Sequence, residues 1–206
     1  MKKLKIKVCG MRDPDNIKDL LALNPDFMGL IFYPKSARYV NKPLPDIDFG
    51  NTLKTGVFVN ENIKKLLKIA TDYSLEVIQL HGNESPEYTQ EVKKYGYQVI
   101  KVFPVDDNFD FSICQTYMSA ADYFLYDTKG KLPGGNGTVF HWDILQDYEL
   151  DKPFLLSGGI NMSHLKSILN LQHPMLFGVD VNSGFEKQPA YKNINDLKIF
   201  INEIRS

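Results

Sequence analysis

The chain has 206 residues, a length that suits one domain with a substantial buried core. Its 24 Lys and Arg residues against 25 Asp and Glu residues leave a net charge of −1, without the basic surface that nucleic acids or membranes attract. There is no apolar stretch of membrane-spanning length, no secretory signal, and no metal-ligand spacing around the two cysteines, so we expect a cytoplasmic protein with no membrane, nucleic-acid or metal partner.

Strand-like and helix-like segments alternate along the whole chain. Short apolar runs predict eight strands, at residues 5–9, 27–32, 55–59, 76–80, 98–103, 123–126, 154–156 and 176–181. Helix-compatible sequence lies at residues 15–23, 61–73, 85–95, 111–119, 141–147, 163–169 and 194–204. Residues 41–51 are rich in Pro, Asn and Asp, so any helix between the second and third strands is short or absent.

Repeated strand–helix units predict a parallel sheet, and about eight of them favour a closed (β/α)8 TIM barrel with short loops. The chain is shorter than the typical ~250 residues of that fold, which tight loops and a weak second helix explain. The alternative is an open doubly wound sheet, which usually carries a G-x-G-x-x-G turn after its first strand. Here the first strand ends in Cys9-Gly10-Met11-Arg12 instead, so we predict a single-domain barrel.

Two segments near the C-terminus have the form of a phosphate site. Residues 154–160 (FLLSGGI) and 177–184 (FGVDVNSG) are each an apolar run that breaks into glycine and small residues, with helix-compatible sequence soon after. Strand, glycine turn and helix start together point backbone N–H groups at an anion. Barrels of this class usually bind phosphate with the loops after strands 7 and 8, so the pair predicts a phosphorylated ligand.

The carboxyl ends of barrel strands share one rim, where the chemistry of this fold takes place. A thiol, an imidazole and two carboxylates are expected there, among the strand-end residues Cys9, Tyr33, Asn60, His81, Phe103, Asp127, Ser157 and Asp180. Alternation along the first strand turns Lys5, Lys7 and Cys9 toward the barrel axis. Since strand 8 adjoins strand 1 on closure, we expect Asp180 to pair with Lys7, and the ammonium to lower the pKa of Cys9.

Each candidate also has a structural explanation. Cys9 is equally consistent with a small buried core residue, and Asp127 with a turn or N-cap aspartate. For His81, a hydrogen-bonded rim histidine is favoured over a catalytic one. Arg38 lies in the basic loop 34–39, which is either solvated or able to grip a substrate carboxylate in bidentate fashion. The glycine-rich loop 130–137 has the composition of a lid.

Taken in chain order, the strand ends and loops resemble the phosphoribosylanthranilate isomerases, tryptophan-pathway enzymes with a (β/α)8 fold. The resemblance lies in residues 7–12, 29–33, 36–40, 56–60, 79–82, 125–128, 134–137, Trp142, 156–160 and 178–186. It therefore covers nearly every strand end. The family carries out an Amadori rearrangement of N-(5-phosphoribosyl)anthranilate to 1-(2-carboxyphenylamino)-1-deoxyribulose 5-phosphate, the third step of the tryptophan branch, without a redox or metal cofactor.

The resemblance also implies a role for individual residues. Asp127 matches the general acid that protonates the furanose oxygen, and Cys9 the general base that removes the proton from C2 of the sugar. Arg38 matches the residue that receives the anthranilate carboxylate, and His81 and Asp180 match residues that line the substrate pocket. A phosphate site whose donors are mainly backbone amides is matched by Gly158, Gly159, Asn182, Ser183 and Gly184.

Some positions depart from the family pattern. Asn136 and His141 replace residues usual in the loop after strand 6, Asn182 stands where serine is common, and residues 189–191 lack a usual glycine. Two alternatives remain open: another sugar-phosphate isomerase or epimerase on the same barrel, and a barrel that binds a phosphorylated ligand without turnover. The sequence does not decide between a monomer and an oligomer.

Overall fold

The computed structural model describes residues 3–128 and 142–206. Eight parallel strands close into a barrel in chain order, and the last strand pairs with the first. They are β1 (Lys5–Val8), β2 (Phe27–Ile31), β3 (Leu53–Phe58), β4 (Val77–Leu80), β5 (Gln98–Val105), β6 (Tyr123–Thr128), β7 (Phe154–Leu156) and β8 (Leu176–Val181). The predicted (β/α)8 barrel is confirmed, and the open doubly wound sheet is wrong.

The described helices are fewer than the strands. They are α1 (Pro14–Leu21), α2 (Ile63–Asp72), α3 (Pro86–Lys94), α4 (Leu165–Asn170) and α5 (Ile194–Arg205). As expected, residues 41–51 form no helix. Within the described ranges, no helix is long and apolar enough to cross a membrane.

Two segments predicted as helices form 3-10 turns instead. Phe111–Tyr117 follows β5, and Trp142–Asp147 precedes β7. The first contains Ser, Ile, Cys, Thr and Tyr, which are weak α-helix formers, and it begins where the Asp110 carboxylate accepts the Ser112 N–H at 2.8 Å. Short 3-10 turns also occur at Met162–His164, just before α4, and at Ser183–Phe185, just after β8.

The starts of α1 and α3 are encoded locally. The Asp13 side chain accepts the Asn16 N–H at 2.9 Å, and the Ser85 side chain caps α3 in the same way. Each cap is followed by a proline at the first helical position, where its missing N–H costs nothing.

A small antiparallel hairpin follows β8 and was not predicted from the sequence. It consists of β9 (Glu186–Gln188) and β10 (Tyr191–Lys192), and Ala190 in its turn has a φ of +67°. The hairpin lies between the last barrel strand and α5, so it brings two charged side chains, those of Glu186 and Lys192, close to the carboxyl end of the barrel.

Apolar side chains fill the amino-terminal half of the barrel interior. They include Phe27, Leu125 and Leu155, and the Tyr123 and Phe177 rings stack at 4.6 Å between centroids. A register shift makes this possible: Phe154 pairs with Leu176 but Leu155 with Gly178, leaving Phe177 as an extra residue in β8. With that half packed, only the carboxyl-terminal end is open for a ligand.

Candidate active site

A cavity of about 590 Å³ opens at the carboxyl ends of the strands. The residues to which the resemblance gave a catalytic or binding role all line it: Cys9, Arg38, His81, Asp127, Gly158, Gly159, Asp180, Asn182, Ser183 and Gly184. The residues come from the ends of six strands and the loops after them, so the cavity has the usual position of a barrel active site.

The other strand-end candidates divide into two pairs. Tyr33 and Ser157 also line the cavity. Asn60 instead accepts the Asn83 N–H at 2.7 Å and holds two loops together. Phe103 is buried among aromatic rings outside the barrel, because β5 alternates and turns Val102 inward instead. The expectation that Asn60 and Phe103 belong to the site is therefore wrong.

The inward-facing lysine of β1 is fully buried and paired. Lys7 Nζ lies 2.8 Å from Asp180 Oδ1, as β1–β8 pairing predicted, and Ser157 Oγ is 3.3 Å from Asp180 Oδ2. Burial alone would lower the pKa of Lys7, but Asp180 and Cys9 raise it above its usual value, so the ammonium stays charged. Lys5, two residues earlier on the same strand, has a half-exposed side chain whose Nζ lies 2.7 Å from Asp26 Oδ1.

Cys9 is buried beside this pair. Burial raises the pKa of the Cys9 thiol, and the nearby ammonium groups of Lys7 and Lys192 only partly oppose it. The predicted influence of Lys7 has the expected sign, but the expectation of a lowered pKa is wrong because desolvation of the thiolate is the larger effect. Without a ligand, Cys9 is therefore a thiol rather than a thiolate at neutral pH.

Asp127 and His81 contact each other at the rim. His81 Nε2 lies 3.3 Å from Asp127 Oδ2, and His81 Nδ1 lies 3.0 Å from the Gln79 side-chain nitrogen. When the amide nitrogen donates to Nδ1, the neutral imidazole carries its proton on Nε2 and donates it to the carboxylate. Asp127 ends β6 and Cys9 follows β1, so the acid and the thiol are three strands apart around the ring.

The turns after β7 and β8 adjoin each other at the wall of the cavity. Gly158 and Gly159 have φ values of +91° and +69°, a backbone that residues with side chains rarely adopt. A Cβ on Gly158 would collide with the backbone of Thr128, and one on Gly184 with the carbonyl of Ile160. Consecutive glycines of this kind turn backbone N–H groups into a concave surface that suits a phosphate.

Arg38 reaches the cavity from the loop after β2 and forms a bidentate ion pair with Glu186. Nε and Nη2 lie 2.8 and 2.6 Å from the two carboxylate oxygens. Lys192 Nζ, which is buried, lies 2.6 Å from the same carboxylate and 2.7 Å from Asn182 Oδ1. Sequence analysis missed Glu186 and Lys192 as site residues. Glu186 ends one of the matched motifs, but nothing local identifies an arginine 148 residues away as its partner.

Within residues 3–128 and 142–206, no three His, Cys, Asp or Glu side chains converge in a way that could hold a metal ion. The proposed lid at 130–137 and the departures Asn136 and His141 lie outside the described residues.

These features define a class of protein: a (β/α)8-barrel enzyme with a carboxylate, a thiol and two glycine turns around the cavity at its open end. A family model described as N-(5'-phosphoribosyl)anthranilate (PRA) isomerase matches residues 6–203. The N-(5'-phosphoribosyl)anthranilate isomerase of Parabacteroides distasonis is 44% identical over 97% of this chain and 92% of its own length.

Solved structures agree with the family match. Phosphoribosyl anthranilate isomerase from Thermotoga maritima superposes with a TM-score of 0.85 and 30% identity over 98% of both chains. Another structure of such an isomerase, in complex with reduced 1-(o-carboxyphenylamino)-1-deoxyribulose 5-phosphate, gives a TM-score of 0.81 and 28% identity, again over 98% of both chains. The chain belongs to the N-(5'-phosphoribosyl)anthranilate isomerase family and is an isomerase of tryptophan biosynthesis.

Proposed function

We propose that this chain, acting as a single barrel domain in the cytoplasm, converts N-(5-phosphoribosyl)anthranilate into 1-(2-carboxyphenylamino)-1-deoxyribulose 5-phosphate with Asp127 as general acid and Cys9 as general base. The observation that carries these roles is that both side chains line one cavity, which is closed on one side by the glycine turns after β7 and β8. An acid and a base on different sides of a bound sugar are what this rearrangement needs.

Binding comes first in this mechanism. The backbone N–H groups of Gly158, Gly159 and Gly184, with Asn182 and Ser183 beside them, receive the phosphate. His81 and Asp180 contact the sugar from the barrel interior. Arg38 receives the carboxylate of the anthranilate ring. The two ends of the substrate are thereby fixed, and the ribose lies between Asp127 and Cys9.

The chemistry then takes two proton transfers. In the reacting form Asp127 carries a proton taken from water, and Cys9 has released its own proton to water. Asp127 gives its proton to the ring oxygen, the C1–O bond breaks, and the nitrogen lone pair forms an iminium ion. Cys9 removes the proton from C2, the C–H electrons neutralise the iminium as an enolamine, and tautomerisation gives the ketone. Because a cation favours the ionised form of a nearby acid, the developing iminium opposes the effect of burial on Cys9 and makes the thiolate accessible when it is needed.

The test is a steady-state assay with freshly prepared phosphoribosylanthranilate, following the loss of its fluorescence. Cys9→Ala and Asp127→Asn should each lower the rate by about 10²–10⁴-fold, the usual contribution of a general acid or base. Cys114→Ala is the matched control, since Cys114 is also a buried thiol but lies outside the cavity, against Tyr126. It should keep the wild-type rate.

Each other outcome contradicts the proposal in a specific way. Wild-type protein that binds the substrate without turning it over is a binding barrel. Turnover of a different sugar phosphate alone identifies another isomerase or epimerase. A Cys9→Ala variant as active as wild type removes the thiol from the mechanism.

A further inference from the structure

Arg38 is held by Glu186, which is itself held by Lys192, and neither of these two residues lines the cavity. Its partner Glu186 has a side chain only 5% exposed, and Lys192 behind it is fully buried. A guanidinium that served only as a solvated cation at the cavity wall would need neither. Ordering three charged side chains in a buried cluster costs conformational entropy and desolvation free energy. The presence of such a cluster therefore indicates that the relative positions of its side chains are important.

The ion pair leaves one edge of the guanidinium free. Nε and one Nη2 hydrogen are directed at the two oxygens of Glu186, and no described residue accepts from Nη1. Of the five N–H donors, three therefore remain, two on Nη1 and one on Nη2. Those three include a second parallel pair, which matches the two oxygens of a carboxylate.

The charge of the cluster suits an anion. Arg38 and Lys192 contribute two positive charges and Glu186 one negative charge, so the cluster carries +1 in the free protein. The attraction of both cations lowers the pKa of Glu186 in spite of its burial, which keeps it ionised at neutral pH. A bound carboxylate would bring the cluster to neutrality. Lys192 also donates to Asn182, so the same ammonium connects this cluster to the turn after β8.

We propose that Glu186 and Lys192 are positioning residues that fix Arg38 with its Nη1–Nη2 edge toward the cavity, and that this edge selects substrates carrying a carboxylate on the aromatic ring. The inference rests on the proposed function and adds to it the residues that give Arg38 its specificity. Neither positioning residue touches the reacting atoms, so neither should affect the chemical step itself.

The sign of a binding change distinguishes positioning from simple charge balance. If Glu186 only balanced charge, its removal would leave a more positive cluster and would tighten the binding of a carboxylate. If it positions Arg38, its removal frees the guanidinium to rotate away, and carboxylate binding weakens although the cluster has become more positive.

The experiment compares two ligands by calorimetry. One is reduced 1-(o-carboxyphenylamino)-1-deoxyribulose 5-phosphate, and the other is the same compound without its ring carboxyl. Glu186→Gln should weaken binding of the first about tenfold, roughly the size of one charge-assisted hydrogen bond, and change binding of the second less than twofold. In turnover of phosphoribosylanthranilate, KM should rise while kcat stays within about twofold.

Asp26→Asn is the matched control. Asp26 likewise lies between a lysine and an arginine, at 2.7 Å from Lys5 and 3.0 Å from Arg205, but at the opposite end of the barrel. This variant should bind both ligands as wild type does. Glu186→Asp keeps the charge and shortens the side chain, so it should fold even if Glu186→Gln does not. It should weaken binding of the ligand with the ring carboxyl by an intermediate amount and leave binding of the other ligand unchanged.

Equal losses for both ligands, tighter binding of the carboxylate, or wild-type behaviour of both Glu186 variants would overturn the inference. These results differ from a failure of the proposed function, which would appear as wild-type protein without turnover. A wild type that is active and prefers the carboxylate ligand, beside Glu186 variants with the same preference, contradicts the positioning role alone.

Discussion

The buried pair between Lys7 and Asp180 allows a sharp prediction about stability. The Lys7 side chain is 0% exposed and that of Asp180 5%. Lys7→Met removes the ammonium but keeps most of the side-chain volume. Among the described residues, the buried carboxylate then keeps a single hydrogen-bond partner, the Ser157 hydroxyl at 3.3 Å. Removing one partner of a buried ion pair typically costs about 3–5 kcal/mol, so this single change should remove a large part of the ~5–15 kcal/mol that stabilises a typical domain.

The matched comparison is Lys5→Met, on the same strand. Lys5 and Asp26 are 2.7 Å apart, as close as the buried pair, but the Lys5 side chain is 47% exposed. Exposed pairs contribute about 0–1 kcal/mol, and Asp26 keeps Arg205 as a partner. Urea denaturation of the two variants should therefore give losses that differ by at least about 2 kcal/mol.

The pH dependence of the unfolding free energy and a double variant test whether an unpaired buried carboxylate causes the loss of stability in Lys7→Met. Burial raises the pKa of Asp180 and Lys7 opposes that shift, so in Lys7→Met the folded protein binds a proton more readily than the unfolded chain. Stability linked to such a group is present at low pH and is lost as pH rises, so the deficit should be smaller at pH 5 than at pH 8. Adding Asp180→Leu should restore most of the loss. Equal costs for Lys5→Met and Lys7→Met would refute the reasoning.

The other predictions concern the thiol, the cup and acid stability. Burial and, in addition, the negative charge of Asp180 raise the pKa of Cys9. In a Cys114→Ala background, where Cys9 is the remaining cysteine, Asp180→Asn should therefore shift the pH at which iodoacetamide alkylation accelerates to a lower value. An unchanged pH profile contradicts this. Gly158→Ala should raise KM far more than Gly96→Ala, because both glycines have φ near +90° but only a Cβ at Gly158 would meet another backbone. Because the pKa of Glu186 is lowered in the folded protein, its ionisation contributes stability above the ordinary pKa of 4.5, and this contribution is lost as the pH falls further. Glu186→Gln should therefore flatten the decline in unfolding free energy between about pH 5 and 3. An equally steep decline counts against this assignment.

Much of this fold is encoded in local patterns. Strand ends differ from the predicted ones by about two residues or fewer, because apolar runs bounded by turn residues define them. Helix type was less predictable. The segments after β5 and before β7 were predicted as α-helices but form 3-10 turns of seven and six residues, a length over which the side-chain pattern does not distinguish the two hydrogen-bond registers. The hairpin β9–β10 has too few residues to show a strand period at all.

The candidate site was predictable where barrel geometry fixes neighbours. Closure assigns β8 to β1, so Lys7 and Asp180, 173 residues apart, could be paired from the sequence. Arg38 lies in a loop and Glu186 at the start of β9, both outside the barrel sheet whose register defines neighbours, and that pairing was missed. The predicted direction of the pKa shift of Cys9 was wrong for a related reason. A neighbouring charge can be inferred from topology, whereas the extent of desolvation depends on packing.

Closure of the barrel is therefore also what assembles the chemistry. β1 provides Lys7 and leads into Cys9, and β8 provides Asp180 and leads into the turn at Ser183–Phe185 and the hairpin. The same junction is fixed further by Asn16 of α1, whose side chain makes two hydrogen bonds to the Lys192 backbone, at 2.7 and 3.1 Å. Since Lys192 in turn contacts Glu186, and Glu186 contacts Arg38, the chain of contacts runs from the first helix to the arginine at the cavity wall. The docking of the first and last units of the barrel thus determines how the thiol, the glycine turns and Arg38 lie relative to one another.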